Sequence, residues 1–322
     1  MSMVALKSAK GNKIANRQAI SETLLDLAKQ NKDILVVTSD SRGSASLVDF
    51  GKELPNQIVE VGIAEQNLVG IASGLAASGK KPFVASPACF LSMRSIEQIK
   101  VDVAYSNTNV KLIGISGGIS YGALGMSHHS LQDLAVTRAI PGLDVMMPAD
   151  RHEAKKMIEA LVEYDRPVYL RIGRNPVADS YVSEDYDFQI GKAVTMKEGT
   201  DITIISTGET VRIALDSAEV LQAEGIDCRV INMHTIKPLD EEAILKAAEE
   251  TRRIITIEEH SIYGGLGSAV AEVVSQNHPV PVKIIGLPDE PAVAGKTAEV
   301  FEYYGLSVDN VKKVAISMVN KG

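Results

Sequence analysis

One glutamate, Glu65, combines the residue type and the setting that proton-transfer chemistry requires. It follows the segment 59–64 (VEVGIA) and begins a predicted helix of mostly small and apolar residues that continues to Ser78. A carboxyl group in such surroundings could share a proton with a ligand near neutral pH, because burial disfavours its charged form. The same carboxylate could instead serve only as a partner of the helix dipole. The physical argument alone favours this structural alternative.

A glycine-rich loop at residues 114–125 leads to two adjacent histidines, His128 and His129. Its five glycines and lack of charge allow the backbone to approach a ligand closely. Histidine is the side chain that most readily exchanges a proton near pH 7. A lone histidine is more often structural, but a pair directly after a glycine-rich loop leaves the two alternatives about even.

Helices and short apolar strands alternate along the first part of the chain and must position these residues. The sequence predicts helices at 19–28, 65–78 and 95–104, and strands at 34–37, 82–85 and 110–115. This alternation indicates a parallel sheet covered on both faces. Ligands of such sheets bind at the carboxyl ends of the strands. The polar residues found there are Asp40, Ser44, residues 86–90 and residues 116–129.

The segment 178–187 (ADSYVSEDYD) is acidic and loses the periodicity found on either side. We therefore expect two domains, residues 1–187 and 188–322. The second contains predicted strands at 202–206, 228–231, 254–257 and 282–285, with helices at 211–224, 241–251 and from 268 onward. Its segment 264–268 (GGLGS) lacks the full spacing of a dinucleotide-binding loop and is predicted to be a packing turn.

Composition narrows the class of protein. The chain of 322 residues is 45% hydrophobic and has a net charge of -8, a poor fit to a nucleic-acid partner. The N-terminal residues, including Lys7, Lys10 and Lys13, form neither an apolar signal core nor a membrane span, which indicates a cytoplasmic protein without a membrane partner. Cys89 and Cys228 lack the spacing of metal ligands and are expected to be reduced core thiols.

Several motifs resemble the transketolase family. Those of the first domain are residues 61–67 (VGIAEQN), 90–98 (FLSMRSIEQ), 127–129 (SHH) and 138–141 (RAIP), which resemble the pyrimidine-binding domain. Those of the second are residues 234–240 (HTIKPLD) and 258–267 (EEHSIYGGLG), which resemble the C-terminal domain. The resemblance covers essentially the whole chain. It implies an α/β fold of two domains, a pyrimidine-binding domain of the thiamine diphosphate-binding fold with a parallel sheet flanked by helices, then a smaller C-terminal α/β domain.

Full-length transketolases begin with another domain, which binds the diphosphate of thiamine diphosphate and a divalent ion through a Gly-Asp-Gly motif. No Gly-Asp-Gly occurs in this sequence. The chain therefore resembles the C-terminal subunit of a split transketolase. By that resemblance, a separate N-terminal subunit supplies the ligands of Mg²⁺ or a similar ion, this chain supplies none, and the active enzyme is an α2β2 heterotetramer. The chain alone is expected to be inactive.

The resemblance assigns cofactor contacts to five residues. Glu65 would hydrogen-bond the ring nitrogen of the aminopyrimidine and so favour the tautomer that activates the cofactor. Phe90 would pack on the pyrimidine ring. Met93 and Ile96 fall where many transketolases have further aromatic residues, and Asp40 follows a strand at the same edge of the sheet.

The resemblance also assigns the substrate contacts. His128 matches the histidine that contacts the sugar and assists proton transfer, whereas His129 replaces the more usual glutamine. Arg17, Ser44 and Arg174 match positions that anchor a sugar phosphate, for which arginine is suited because it can bind two phosphate oxygens at once.

Two departures affect the predicted substrate. Leu124 stands where sugar transketolases carry an aspartate that binds a substrate hydroxyl, and Ser116, a further candidate substrate contact, falls near a position often held by a phosphate-binding histidine or arginine. An isobutyl group cannot replace that hydrogen bond. The expected reaction is transfer of a two-carbon ketol unit from a ketose to an aldehyde acceptor. A branched or deoxy sugar phosphate, or a sulfonated sugar, would fit a pocket that has lost one polar contact.

Three alternatives remain open at this point. The beta subunit of a 2-oxoacid dehydrogenase decarboxylase has the same two domains and the same glutamate, but the motifs at 62–67 and 127–129 favour transketolase. A deoxyxylulose phosphate synthase is also related, although it normally carries its first domain in the same chain. A non-catalytic regulatory subunit would need only the sheets and helices, so the presence of Glu65, Phe90 and His128 together argues against it.

Overall fold

The computed structural model describes residues 13–320, which form two α/β domains and confirm the predicted fold class. Lys7 and Lys10, on which the interpretation of the N-terminus partly depends, lie outside these residues. Across 13–320, every helix is too short or too polar to cross a lipid bilayer.

The first domain is built on a sheet of seven strands. Its helices are α1 (Asn16–Gln30), α2 (Val48–Glu53), α3 (Glu65–Ala77), α4 (Ala88–Arg94), α5 (Ile96–Gln98), α6 (Asp133–Arg138) and α7 (Arg151–Glu163), with a π-helical segment at Ile99–Tyr105. Its strands are β1 (Lys13–Ile14), β2 (Ile34–Thr38), β3 (Ile58–Glu60), β4 (Lys81–Pro87), β5 (Lys111–Ile115), β6 (Asp144–Met146), β7 (Val168–Arg171) and β8 (Val177–Ala178). The small strands β1 and β8 form a separate antiparallel pair.

The second domain contains a sheet of five strands. The domain contributes six strands, β9 (Val194–Lys197), β10 (Ile202–Ser206), β11 (Cys228–Asn232), β12 (Thr235–Lys237), β13 (Ile254–Ser261) and β14 (Val282–Leu287). Of these, β12 belongs to the larger sheet of the first domain. Its helices are α8 (Val211–Ala223), α9 (Glu241–Thr251), α10 (Leu266–Asn277), α11 (Thr297–Tyr303) and α12 (Val308–Asn320). The sheet order is β14-β13-β10-β11-β9, and only the edge strand β9 is antiparallel to its neighbour.

The order of the larger sheet is β12-β6-β7-β5-β4-β2-β3. All of its pairs are parallel except β12 with β6, and β12 comes from the second domain. Alternate residues of its central strands point into two apolar clusters: Phe83 and Ile113 pack against α1 and α7, whereas Val84 and Leu112 pack on the face covered by α3. This is the two-sided burial expected of a parallel sheet.

The two domains share a hydrophobic core. Ile119, Leu131 and Ala149 of the first domain belong to the same buried cluster as Ile202 and Val230 of the second. Together with strand β12, this cluster joins the domains through apolar contact. The boundary that we expected after residue 187 falls within the segment 179–193, which contains no helix or strand.

A charged group is buried at the contact between the domains. The Nη2 atom of Arg171 donates to the backbone oxygen of Glu259 at 2.6 Å, and its Nε atom lies 3.5 Å from Asp133 Oδ2. Burial opposes the charged form of Arg171, but the charges of Asp133 and Glu259 outweigh this effect and raise its pKa. Burial raises the pKa of Glu259 to about 7. The domain contact therefore contains a carboxyl group that titrates near neutral pH.

Several elements differ from the sequence-based expectations. The helix predicted at 95–104 is a short α-helical turn followed by the π-helical segment, and α4 was not predicted because it follows β4 without an intervening turn signal. The two antiparallel edge strands, β9 and β12, were also not predicted. Strand direction at an edge depends on the neighbour with which the strand pairs, which local periodicity does not contain.

Candidate active site

The predicted site residues follow the carboxyl ends of neighbouring strands in the larger sheet. Asp40 and Ser44 follow β2, Glu65 follows β3, and Phe90 follows β4. The segment 116–129 follows β5, and Arg174 follows β7. Because parallel strands end at the same edge, these residues converge there.

Glu65 lies in the first turn of α3, and only 5% of its side chain is exposed. Its Oε1 atom accepts a hydrogen bond from Arg94 Nη1 at 3.0 Å. The guanidinium carbon of the same arginine lies 3.9 Å from the centroid of the Phe90 ring. A flat cationic group therefore connects Glu65 and Phe90, and residues 63–67 with Arg94 line an adjacent cavity of about 430 Å³.

The loop that precedes α3 is tied to the loop after β2 by one carboxylate. Glu60 Oε1 accepts hydrogen bonds from the backbone N–H of Asp40 at 2.7 Å and of Gly62 at 3.0 Å. Gly62 has a φ of 72°, which a residue with a side chain rarely adopts, so the chain can turn there into the helix that begins at Glu65. These bonds hold Asp40, whose side chain is exposed, at the rim near Glu65.

The glycine-rich loop packs on the two buried charged residues of the domain contact, Arg171 and Glu259. A Cβ atom on Gly117 would lie 2.1 Å from Arg171 Nε, so the loop can lie this close to the arginine only without a side chain there. The backbone N–H of Ile119 donates to Glu259 Oε1 at 2.7 Å. Gly118 pairs with Ser130 as an isolated β-bridge. Residues of both domains therefore position the loop.

The two histidines have different environments. His129 is 3% exposed, and its Nε2 atom lies 3.0 Å from the carbonyl oxygen of Gly122. A carbonyl can only accept, so Nε2 carries the proton, and burial lowers the pKa of this histidine. His128 is half-buried, and its ring lies edge-on to Phe90 with 5.2 Å between centroids. Of the two histidines, His128 is the one that contacts Phe90 and is partly exposed, and its role stays a prediction.

The row of contacts continues from His128 to the arginines. The rings of His128 and Tyr121 have centroids 5.4 Å apart, and the guanidinium carbon of Arg174 lies 5.2 Å from the Tyr121 centroid. The Nε atom of Arg17 donates to the backbone oxygen of Arg174 at 3.1 Å, and its Nη1 atom donates to that of Ser44 at 2.9 Å. The structure thus links Glu65 to Ser44 through one series of neighbouring side chains.

The two arginines form a cationic corner. Burial, and next the charge of Arg174, lower the pKa of Arg17. Neither guanidinium forms an ion pair with a carboxylate among residues 13–320, and Arg174 Nη1 is buried without a hydrogen-bond partner in that part of the chain. Two close, uncompensated guanidinium groups are suited to binding an anion.

The remaining candidates lie less centrally. Met93 is 52% exposed, and Ile96 packs against the apolar cluster beneath α3. Ser116 is fully buried with a φ of 56°, and its hydroxyl has no hydrogen-bond partner among residues 13–320. Leu124 is 53% exposed. The cofactor and substrate roles expected for Met93, Ile96 and Ser116 stay predictions.

Two residues in the row were not identified from the sequence. Arg94 lies inside the motif at 90–98, and Tyr121 is the single aromatic residue of the glycine-rich loop. Both lie in segments that the sequence marks as candidates, so a cationic and an aromatic side chain there could have been noticed. Their contacts with Glu65, Phe90, His128 and Arg174 are non-local and become visible only in the structure.

The glycines at 264–268 do not form a nucleotide site. The backbone N–H groups of Leu266 and Gly267, at the start of α10, donate to the carboxylate of Glu258 at 2.7 and 2.8 Å. A Cβ atom on Gly265 would lie 2.0 Å from that carboxylate. The protein therefore fills this helix N-terminus with its own anion, in agreement with the predicted packing turn.

Comparison with known families accounts for both domains. Residues 12–178 match the family "Transketolase, pyrimidine binding domain", and residues 191–311 match "Transketolase, C-terminal domain". Thiamine diphosphate is the cofactor that this family implies.

Similar proteins extend the match over the whole chain. A subunit of the apulose-4-phosphate transketolase of Phocaeicola vulgatus is 55% identical over 96% of this chain and 99% of its own length. A 6-deoxy-6-sulfo-D-fructose transketolase subunit of Clostridium sp. is 38% identical over 93% of this chain and 92% of its own. A 1-deoxy-D-xylulose-5-phosphate synthase of Heliobacterium modesticaldum is also 38% identical, but the match covers only 46% of that enzyme.

Solved structures agree with this result. The chain superimposes on a structure described as a split gene transketolase, inactive beta4 tetramer, with a TM-score of 0.86 and 36% identity over 96% of this chain and 99% of that one. A transketolase from Campylobacter jejuni shares the fold, with a TM-score of 0.80 and 24% identity, over 48% of its length. The chain belongs to the transketolase family, of which it contains the pyrimidine-binding and C-terminal domains.

Proposed function

We propose that this chain is the C-terminal subunit of a split transketolase and binds the aminopyrimidine ring of thiamine diphosphate. The observation that carries the proposal is the placement of Glu65 and Phe90 around one flat group, the guanidinium of Arg94. An aminopyrimidine is also flat and has a ring nitrogen that can pair with a carboxyl. It could stack on Phe90 and reach Glu65 in the same way once Arg94 has moved aside.

The proposed roles follow from these contacts. Glu65 shares a proton with the ring nitrogen of the pyrimidine, Phe90 supports the ring, and Asp40 lies at the rim. When bound, the cofactor supplies the electron sink for cleavage of a carbon-carbon bond. His128, beside Phe90, is placed to hold or move a proton on the substrate.

The cationic corner supports an anionic substrate. Arg17 and Arg174, with the backbone around Ser44, are suited to a phosphate or sulfonate group. The relatives described above are named for apulose 4-phosphate and for a sulfonated deoxy sugar, and both names imply an anionic sugar. We therefore propose that a ketose phosphate is the donor and an aldehyde the acceptor. With 55% identity to the first relative, apulose 4-phosphate is the first donor to test.

The remaining parts of the active site are proposed to come from a partner. Among residues 13–320, there is no group of three or more His, Cys, Asp or Glu side chains that could hold a metal ion. We propose that an N-terminal subunit binds the diphosphate and Mg²⁺ or a similar ion and completes an α2β2 heterotetramer. The buried, unpaired Cys89 and Cys228 fit the reducing cytoplasm that we propose as its location.

The test is reconstitution with a partner chain that carries Gly-Asp-Gly. The complex, with Mg²⁺, is titrated with thiamine diphosphate by calorimetry and then assayed for two-carbon transfer from ketose phosphates and for decarboxylation of 2-oxoacids. We expect transfer from a ketose phosphate. Decarboxylation alone would favour the 2-oxoacid dehydrogenase alternative, and a stable complex that binds no cofactor would contradict the proposal.

Glu65→Gln provides the mutational arm of this test. The amide cannot share a proton as the carboxyl does, so kcat should fall by a factor of about 100 or more while the subunits still assemble. Glu302→Gln makes the same change at an exposed position of the second domain and should leave kcat unchanged. Normal activity of the Glu65→Gln complex would show that Glu65 is only a partner of the helix dipole.

A further inference from the structure

Tyr121 lies in the middle of the row that joins the two ends of the proposed site. The ring of His128 lies edge-on to the ring of Tyr121, with 5.4 Å between the two centroids. The guanidinium carbon of Arg174 lies 5.2 Å from the centroid of the tyrosine ring. On the far side of His128 lies Phe90, the proposed support of the cofactor. Tyr121 is thus the side chain between the position for bond cleavage and the position for an anion.

The backbone around Tyr121 is fixed from both domains. The residue begins a 3₁₀ turn at Gly122–Leu124, and the carbonyl of Gly122 accepts from His129 Nε2 at 3.0 Å. A Cβ atom on Gly122 would lie 2.6 Å from the carbonyl oxygen of Gly295, so the turn is packed directly on the second domain. These contacts fix the backbone next to Tyr121, although the residue lies on a loop.

Tyr121 and Leu124 differ in what they can offer a sugar. Tyr121 is half-buried, with a ring face and a hydroxyl that both donates and accepts hydrogen bonds. Leu124, three residues further along the turn, is 53% exposed and purely apolar. Tyr121 is therefore the residue of this turn whose side chain can form a polar contact with a sugar.

We propose that Tyr121 is a specificity-determining residue, which contacts the carbon chain of the sugar between its ketol group and its anionic group. This inference rests on the proposed transketolase function. A donor long enough to reach Arg174 must pass the tyrosine ring, because the ring separates Arg174 from His128. A short donor without an anion ends before this position and does not need the contact.

The test compares two donors in the reconstituted complex. Xylulose 5-phosphate or apulose 4-phosphate, whichever the wild-type complex uses faster, extends to the arginines, whereas erythrulose has four carbons and no phosphate. Tyr121→Leu should raise KM for the phosphorylated donor about tenfold, with kcat changed by less than about threefold, and leave both constants for erythrulose unchanged. Tyr121→Phe separates the ring from the hydroxyl, because only the hydroxyl is removed.

The controls distinguish the possible failures. Tyr303→Leu makes the same substitution at a tyrosine that is 68% exposed on α11, and it should alter neither donor. An equal loss with both donors, or no change with either, would overturn the role of Tyr121. If the wild-type complex transfers from neither donor, the proposed function itself fails. A melting temperature within about 2 °C of wild type would show that Tyr121→Leu remains folded.

Discussion

The polar residues at the carboxyl ends of the strands differ between the two sheets in the partners that they find. In the second domain, most polar groups near the ends of β10, β11 and β13 bond within the protein, although Thr207 Oγ1, Asn232 Oδ1 and His260 Nε2 are buried without a hydrogen-bond partner among residues 13–320. Glu258 accepts two backbone N–H groups of α10, and Asn232 donates to Glu153 of the first domain at 2.9 Å. In the first domain, Arg17 and Arg174 find no carboxylate among residues 13–320.

This difference shows that topology alone does not create a ligand site. Both sheets offer loops and helix N-termini at the same edge, as open α/β sheets do. In the second domain, this edge packs against the first domain. Its Glu259 accepts a hydrogen bond from the backbone of the glycine-rich loop. In the first domain, Glu65 is buried and pairs with the half-exposed Arg94, whereas Arg17 and Arg174 have no carboxylate partner among residues 13–320. The edge proposed to bind a ligand is therefore the one with two guanidinium groups that no carboxylate compensates among residues 13–320.

Removing the carboxylate of Glu258 should have the largest effect on stability. Glu258→Ala leaves two buried N–H groups without an acceptor, so the free energy of unfolding should fall by about 2 to 4 kcal/mol. Urea unfolding followed by circular dichroism measures this change, with Glu302→Ala as the exposed control. If Glu258→Ala abolished cofactor binding without loss of stability, the second edge would be a ligand site and the comparison would be wrong.

Replacing Arg94 should strengthen the binding of thiamine diphosphate at the proposed site of the first domain. Arg94→Met removes the guanidinium that occupies the space between Glu65 and Phe90, so the reconstituted complex should bind thiamine diphosphate about three to ten times more tightly. Isothermal titration calorimetry measures the Kd. Lys32→Met removes one exposed positive charge before β2, at the opposite end of the strand from Asp40, and should leave it unchanged. Weaker binding by Arg94→Met would show that the arginine is a ligand of the cofactor.

The pH dependence of stability should reveal the two carboxyl groups that are buried where the second domain packs against the first. Burial raises the pKa of both Glu153 and Glu259 to about 7. The folded chain therefore holds protons that the unfolded chain has already released, and the contribution of these two carboxyl groups to the free energy of unfolding should fall as the pH rises from about 5 to about 8. The lowered pKa values of the buried His234 and Lys111 act in the opposite direction, so the contribution is isolated by a mutant. Glu259→Gln should reduce this fall by on the order of 1 kcal/mol, as followed by melting temperature at several pH values.

The same measurement has a clear control. Glu302→Gln changes an exposed carboxyl and should reproduce the wild-type curve. A Glu259→Gln curve that runs parallel to the wild-type curve between pH 5 and pH 8 would contradict the raised pKa of Glu259.

Local sequence was sufficient to predict the family and many of the alternating elements, although β6, α7, β7 and α12 were not predicted. The predicted strand at 202–206 and helix at 241–251 match β10 and α9, because short apolar runs and helical periodicity report local burial directly. The motifs around Glu65, Phe90 and His128 led to the transketolase resemblance, which the family matches confirm. The roles of these residues stay predictions.

Only the tertiary structure decided how the site is assembled. Arg94 and Tyr121 lie in segments that the sequence marks as candidates, but their contacts with Glu65 and Arg174 are non-local and no local pattern predicts them. The antiparallel pairing of β12 and the support of the glycine-rich loop by Glu259 depend on contacts between the domains. The sequence by itself determined the residue types, about half of the elements and the family. The fold decided which polar groups find partners inside the protein and which remain free for a ligand, because that depends on distances between segments far apart in the chain.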